Sequence, residues 1–451
     1  MSLTLAQLEA FDIPGPRYTS YPTAPQWQNG FPVTTYHQAL QQSALSHHSL
    51  SVYIHIPFCT KMCYYCGCNV IIRKQNESVG DTYIGYLLKE MALVRQQLSA
   101  TQVVKQVHLG GGTPNYLSPD QLTRLLVGIR HTFQIEAGSE IAVEVDPRTL
   151  THEQVRVMAQ QGVTRLSMGI QDTNPDVQAS INRVQPIEMV RQAVDWVRAH
   201  GLSLNFDLIY GLPKQTHDGI VTTIGHVIAA SPDRIALYSY AHVPWLKSHQ
   251  SLLKPHQLPM GRDKLNLFLT ARDALIAGGY QGVGMDHFAR PNDPLAVAYQ
   301  TGTLYRNFMG YTLKPADDAL GFGVTAIGHV KGVYIQNTKD LAQYYHGLDT
   351  EQLPIDRGLA LSQDDRMRQW VIQSIMCQFK LDAAAFSQLF GCDVMALEGV
   401  PAHLQACESK GLINKSQSGF EVTELGKLFV RIVAMGFDAY LAQSGGFSRT
   451  I

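Results

Sequence analysis

Read by its apolar positions, the chain alternates strand-sized runs with segments of helical period from about residue 51 onward. "SVYIHIP" (51–57), "KQVHL" (105–109), "EIAVEV" (140–145), "TRLSMG" (164–169), "LSLNFDLIY" (202–210) and "DRIALYSY" (233–240) read as strands. Amphipathic stretches predict helices around 81–98, 119–133, 151–161, 186–200, 216–230 and 262–278. Six strand–helix repeats call for parallel strands joined by helical crossovers. The strands read as apolar almost throughout, as strands buried on both faces do. Six such units make an α/β fold, an incomplete (β/α)6 parallel barrel open along one side.

From about 356 the pattern changes. Helical segments near 362–379, 382–390 and 395–410 lead into "GLINKSQSGFEVT" (411–423), which reads as a hairpin, and then into a further helix. This predicts a C-terminal, mainly helical, winged-helix-like domain. No basic cluster accompanies it, so a lid or docking module is expected rather than a nucleic-acid reader. The expected parts are an N-terminal leader (1–50), the partial barrel (51–355) and the C-terminal domain (356–451).

Charge adds mainly exclusions. The 451 residues carry 36 Lys and Arg against 37 Asp and Glu, a formal net charge of −1. Such a balance gives no electrostatic footprint for nucleic acid or an anionic membrane surface. No apolar run approaches the roughly 20 residues that span a bilayer. The first residues show no basic start followed by an apolar run. A soluble cytoplasmic protein with reduced cysteines is expected.

The cysteines change the picture. "PFCTKMCYYCGCN" (57–69) puts Cys59, Cys63, Cys66 and Cys68, four of the chain's seven, within ten positions. A disulfide knot suits small secreted domains, not a chain of this length. Structural zinc usually takes two Cys/His pairs with a longer spacer, and Cys377, Cys392 and Cys407 stand far off and singly. A packed helical stripe would use 59, 63 and 66, but Pro57 and Gly67 leave it too short for a stable helix. Iron–sulfur ligation is the reading that uses clustered thiolates best. Spacing alone leaves open which cysteine stands aside. The order C-x3-C-x2-C, with aromatic Tyr65 before the third cysteine, resembles the signature of radical S-adenosylmethionine enzymes. In that family Cys59, Cys63 and Cys66 would hold one [4Fe-4S] cluster, with one iron open, and Cys68 would be an extra thiol.

Ligands of a parallel barrel gather where strands end. "GGGTP" (110–114) follows the second strand, where glycines let a ligand approach the backbone. Glu144 ends the third strand, Gln171 and Asp172 the fourth, and Arg183 follows in "SINRV". Asp207 interrupts an apolar run, so a ligand or an arginine is expected to meet its charge.

Taken with "GPRYTSYPTA" (15–24), "EVDPR", "DLIYGLPKQT", "YAHVP" and "GMDHFARP", these motifs resemble the oxygen-independent coproporphyrinogen III oxidase family over nearly the whole chain. The resemblance implies two S-adenosyl-L-methionine molecules. The first would contact Tyr53, Tyr65, Gly111 and Glu144, and the second Gly112, Thr113, Gln171, Arg183, Asp207, Ala241 and Ile327. It implies that a 5′-deoxyadenosyl radical takes hydrogen from propionate β-carbons of coproporphyrinogen III. Two carboxylates then leave as CO2, and protoporphyrinogen IX results. Tyr53 and Glu144 would serve the reaction, with Arg17 positioning substrate beside Arg183, His287 and Arg290. Partners implied are the tetrapyrrole and an electron donor such as flavodoxin or ferredoxin, with no nucleic acid and no membrane, the protein being a monomer. The leader, too irregular for a strand, would cover the open side of the barrel, so that its removal would cost turnover and spare the cluster. A haem chaperone and a radical methyltransferase are the alternatives in the same superfamily. The fourth cysteine and the "GPRYTSYPTA" leader favour the oxidase.

Overall fold

In this computed structural model, residues 9–313, 316–443 and 446–450 are described. Six parallel strands form the frame: β1 (Leu50–Ile56), β2 (Val103–Gly111), β3 (Gln134–Val145), β4 (Arg165–Gln171), β5 (Ser203–Tyr210) and β6 (Arg234–Ser239). Each is followed by a helix: α1 (Glu77–Arg95), α2 (Pro119–Thr132), α3 (His152–Gln160), α4 (Ile187–Ala199), α5 (His217–Ala230) and α6 (Gly261–Ala277). Local chemistry sets the helix starts. Ser118 with Gln121 and Thr151 with Gln154 form capping boxes at α2 and α3. The six units and the partial barrel are as expected.

The faces of the strands are not. Val52, Ile54, Val107, Leu109, Ile141, Val143, Leu166, Met168, Leu204 and Phe206 join one apolar core with helix residues such as Leu87, Leu125, Val155 and Ile224. The alternate positions Ser51, His55, Gln106, His108, Ser167, Asn205 and Arg234 are buried and polar. Period-two alternation therefore puts an apolar face outward, under the helices, and a polar face inward. The barrel interior is hydrophilic yet buried. At its N-terminal end Glu140 accepts from Arg165 at 3.0 Å and Arg234 at 2.8 Å, and Arg234 also reaches Asp293 at 2.8 Å. This network closes that end and leaves the cavity at the other.

Glycine-rich sequence after residue 310 hides further strands. β7 (Asp318–Phe322) runs parallel to β1, extending the parallel set, and β8 (Ile327–Val330), β9 (Val333–Asn337) and β10 (Ile355–Ala360) follow antiparallel. On the far edge His287–Ala289 pairs antiparallel with β6, and Gln281–Val283 with it in turn. Both margins of the parallel sheet are thus covered by returning chain. The change of unit expected at 356 falls inside β10, and the chain leaves the main sheet only after Ala360.

The C-terminal part holds the helix α7 (Gln363–Gln378) and three strands ordered Lys380–Asp382, Gly419–Val422, Ile413–Ser416. Helices Ala383–Phe390 and Val400–Ser409 complete the winged-helix-like arrangement. Residues 1–8 of the expected leader lie outside the described residues. The rest divides between two cores, with Tyr36, Ala39 and Leu40 of the helix Val33–Leu45 packed into that of the barrel. Phe11, Tyr18 and Tyr21 are buried in the C-terminal core with Ile372, Phe386, Phe429 and Phe437. Tyr18 donates to Asp438 at 3.0 Å, and the Arg431 guanidinium donates to the carbonyls of Gly15 and Pro16. Residues 11–21 are therefore a structural part of that core, and removing residues 1–24 would strip three aromatic side chains from it.

Candidate active site at the cysteine loop

The cysteine loop leaves the C-terminal end of β1 and is pinned by side chains from distant segments. Asn182 donates to the Met62 carbonyl at 2.7 Å, and Gln250 to that of Tyr65 at 3.0 Å. His249 meets the Cys66 carbonyl at 2.8 Å, and His55 that of Asn69 at 3.0 Å. Lys247 reaches the Cys68 carbonyl at 3.0 Å and the Asn69 side chain at 2.8 Å. Backbone carbonyls of an irregular loop need partners, and these clamps supply them.

The thiols face cations. Cys63 lies 3.5 Å from an Arg148 nitrogen and 3.6 Å from one of Arg183. Cys59 is 3.2 Å from the Thr113 hydroxyl. Burial pushes the Cys59 thiol up to about 11. Cys66 is held below its ordinary value, chiefly by a hydrogen bond from Cys68, whose own thiol is raised by the same pairing. Asp146 accepts from Arg148 at 2.6 Å and from Arg183 at 3.2 Å, so the two guanidiniums share one counter-charge. Among the described residues no three His, Cys, Asp or Glu side chains gather tightly enough for a single metal ion. A cluster holds its thiolates at separate irons and asks for a wider spacing. Three free thiols on one clamped loop, with guanidiniums that favour thiolate, fit that donor set.

Opposite the loop lies the glycine ledge. Its glycines are required by protein contacts as well as by any ligand. A Cβ at Gly110 would stand 2.7 Å from the Glu144 carboxylate, and at Gly112 2.7 Å from the Pro57 backbone. Gly111 has φ +111°, and its Cβ would meet the His55 ring at 2.6 Å. Glu144 accepts from His108 at 2.9 Å and from the Gly111 amide at 3.3 Å. Burial alone would raise its carboxyl, but these donors outweigh it and hold the group below the usual carboxylate range.

One cavity of about 290 Å³ joins loop and ledge. It brings together Cys59, Cys63, Cys66, Tyr65, Gly111, Gly112, Thr113, Glu144, Gln171, Arg183 and Asp207. Gln171 closes β4 with φ +65°, a left-handed conformation that a non-glycine residue keeps only under tertiary constraint. Arg183 donates to the Gly169 carbonyl at 2.8 Å and leaves its buried Nε without a partner. Among the described residues, no arginine lies within hydrogen-bond reach of Asp207. It accepts from Asn205 at 2.9 Å and Ser167 at 3.4 Å, and burial, with the Glu144 charge, raises it to about 6.

Four expected residues fall outside the lining of this cavity. The Tyr53 hydroxyl lies 3.0 Å from His55 Nδ1, and its ring stacks on His108. Ala241 follows the end of β6, and Ile327 opens β8 on the lining of another cavity. Arg17 pairs with Asp286 at 2.6 Å, and His287 shares that carboxylate at 2.7 Å. Of the other cations considered, Arg290 sits at the opposite end of the barrel, donating to Gly278 and Ser231, away from the cysteine loop. Sequence reasoning missed His55, His108, Asp146 and Arg148. The polar alternation in "VYIHI" and the charge pair in "EVDPR" were signals for them. Nothing local marked Lys247 or His249.

The chain is similar to known proteins over its whole length. The Radical SAM superfamily description matches residues 53–227, and the HemN C-terminal domain matches 361–429. The chain is 40% identical over 462 residues to the oxygen-independent coproporphyrinogen III oxidase of Helicobacter pylori strain J99, covering all of both proteins. It is 41% identical over 452 residues to that of Escherichia coli K12, covering 99% of this chain and 98% of the relative. The solved structure of coproporphyrinogen III oxidase (HemN) from Escherichia coli, described as a radical SAM enzyme, superposes with a TM-score of 0.91 at 39% identity, over 98% of this chain and all of that one. With full-length likeness in sequence and fold, and the thiol loop in place, the chain belongs to the oxygen-independent coproporphyrinogen III oxidase family of radical S-adenosylmethionine enzymes.

Proposed function

We propose that this protein removes two propionate carboxylates from coproporphyrinogen III without oxygen, leaving vinyl groups and giving protoporphyrinogen IX. The observation that carries the reading is the thiol loop set over a polar, buried barrel interior in a chain of this family. When bound, a [4Fe-4S] cluster with S-adenosylmethionine supplies one-electron cleavage of the sulfonium, and so the means to take hydrogen from an unactivated carbon. The protein's part is binding, orientation and exclusion of water.

Cys59, Cys63 and Cys66 would hold the cluster, with the Arg148 and Arg183 guanidiniums favouring the thiolates. Tyr65, Gly111 and Glu144 would hold the first S-adenosylmethionine, Glu144 being kept ionised to accept from a cationic amine. Tyr53 would steady that carboxylate from below through its stack on His108. Gly112, Thr113, Gln171, Arg183, Asp207, Ala241 and Ile327 would take a second S-adenosylmethionine. Supporting it, Asp207 and Gln171 line the same cavity, and among the described residues Asp207 takes hydrogen bonds only from the neutral Asn205 and Ser167, leaving room for a sulfonium or ammonium group. Arg17 would steer a substrate carboxylate by sharing its guanidinium with Asp286.

We further propose a monomer that draws electrons from a flavodoxin- or ferredoxin-type donor in the cytoplasm. All seven cysteines are free, as a reducing compartment keeps them. Among the described residues, no helix is long and apolar enough to cross a membrane. Anaerobic incubation with reductant, S-adenosylmethionine and coproporphyrinogen III tests the function. Two CO2 per substrate and protoporphyrinogen IX are expected, with equilibrium binding of two S-adenosylmethionines per chain. Stable haem binding without CO2 release would instead mark a chaperone.

A further inference from the structure

We infer that Arg306 anchors a propionate that the reaction leaves intact, in a second cavity between the leader, the hairpin at 305–312 and β8. The inference rests on the tetrapyrrole substrate proposed above. Arg306 lies on the short strand Tyr305–Asn307, which forms a hairpin with Gly310–Thr312. Thr312 donates to Gln106 of β2 at 2.9 Å, so the hairpin reaches into the barrel. The residue is 3% exposed, and among the described residues its Nε and Nη1 have no hydrogen-bond partner. The nearest carboxylate, Asp286, is 3.9 Å from Nη1 and is already engaged by Arg17 at 2.6 Å and His287 at 2.7 Å. Two guanidiniums thus surround one aspartate. The Tyr311 ring, 4.6 Å away, supports the Arg306 plane without meeting its N–H groups.

Arg306 lines a cavity of about 60 Å³ together with Tyr18, Gln106, His329 and Gln373. That volume admits a few waters or one carboxylate. His329, stacked on Tyr334 at 4.1 Å, presents a second buried nitrogen, Nε2, without a partner. An unmet buried donor costs free energy, and a carboxylate matches the guanidinium fork with two parallel bonds. The cavity's place argues for an arm that does not react. Its wall includes Gln106, while Gly111, five residues on along β2, lines the cysteine-loop cavity. At about 3.3 Å per residue the two walls stand roughly 16 Å apart.

The test uses cluster-loaded protein and two oxidised, unreactive porphyrins titrated by fluorescence under anaerobic conditions. Coproporphyrin III carries all four propionates, and protoporphyrin IX only the two that the reaction leaves. Arg306→Gln is expected to weaken both by a similar factor, roughly 10- to 100-fold, with cluster absorbance and unfolding midpoint kept. Arg306→Lys should recover part of the loss, which a purely structural role would not require. Unchanged affinities overturn the anchor. A loss confined to coproporphyrin III overturns its assignment to a retained arm. Should Arg306→Gln fail to fold, Gln373→Glu sets a competing carboxylate in the same cavity. It is expected to weaken both porphyrins, and equal affinities there refute the site. Wild-type turnover of coproporphyrinogen III is measured alongside. Its absence removes the proposed function, whereas turnover with unaltered porphyrin binding removes only the anchor.

Discussion

Asp207→Asn should stabilise the unloaded protein at neutral pH while weakening the site. The carboxylate is raised from 3.8 to about 6 by burial and by the charge of Glu144, against the hydrogen bond from Asn205. A raised folded value means that the native state keeps its proton while the unfolded chain releases it. Stability is therefore lost as pH climbs from about 4 to about 6 and stays lower above that window. A shift of about two units at 1.36 kcal/mol each corresponds to at most about 3 kcal/mol. Asparagine keeps the shape: its oxygen can still accept from Asn205 while its amide group turns to the Ser167 hydroxyl as a donor, and it has no charge to bury. Urea unfolding of wild type and Asp207→Asn at pH 4, 5, 6 and 7.5 reads the effect. The difference in unfolding free energy should grow from near zero at pH 4 to about 2–3 kcal/mol in favour of the variant at pH 7.5. Parallel pH profiles would refute the argument, because they would mean that the native carboxylate is as well solvated as the unfolded one. On loaded protein the sign reverses: the variant should bind less S-adenosylmethionine, having lost the anion offered to a cationic group.

Cys59→Ser, Cys63→Ser or Cys66→Ser should each abolish the brown four-iron chromophore of anaerobically purified protein, checked by iron and sulfide analysis, and retention of colour and activity in all three would exclude the ligand set. Phe11→Ala should cost about 3–5 kcal/mol in chemical unfolding, since its ring lies 4.6 Å from that of Phe429 in the C-terminal core. Removal of residues 1–24 should lower stability further, and a truncated protein as stable as the full chain would show that the leader only covers the core. Gly112→Ala should displace the cysteine loop, because its Cβ would stand 2.7 Å from the Pro57 backbone; reduced iron content per chain would show it, and a fully loaded variant would show that the loop can yield.

Much of the frame was legible because periodicity is a local property. Strand and helix positions from β1 to α6 agree with the runs of the sequence to within a few residues, except that β3 starts at Gln134, six residues before its apolar run. The thiol spacing, the glycine run and the acid at the end of β3 named the ends that meet. Legibility failed where the pattern was thin or two-sided. "VYIHI" mixes large apolar and polar residues, so its inner polar face read as apolar, and β7 to β9, only four or five residues each, are too short to show a period.

By itself the sequence determined the parallel frame, the thiolate loop and the family, since each follows from residues close together in the chain. Only the tertiary structure decided how the loop is held. Its carbonyls are met by Asn182, His249 and Gln250, residues 120 to 185 positions away. It likewise decided that Phe11, Tyr18 and Tyr21 belong to the C-terminal core, that Asp146 is shared between two guanidiniums, and that Asp207 meets the Glu144 charge and, among the described residues, no arginine at hydrogen-bond distance. A backbone carbonyl or a buried charge takes its free energy from whatever the fold brings within about 3 Å of it. Local pattern fixes which elements form, while those partners depend on how the elements pack.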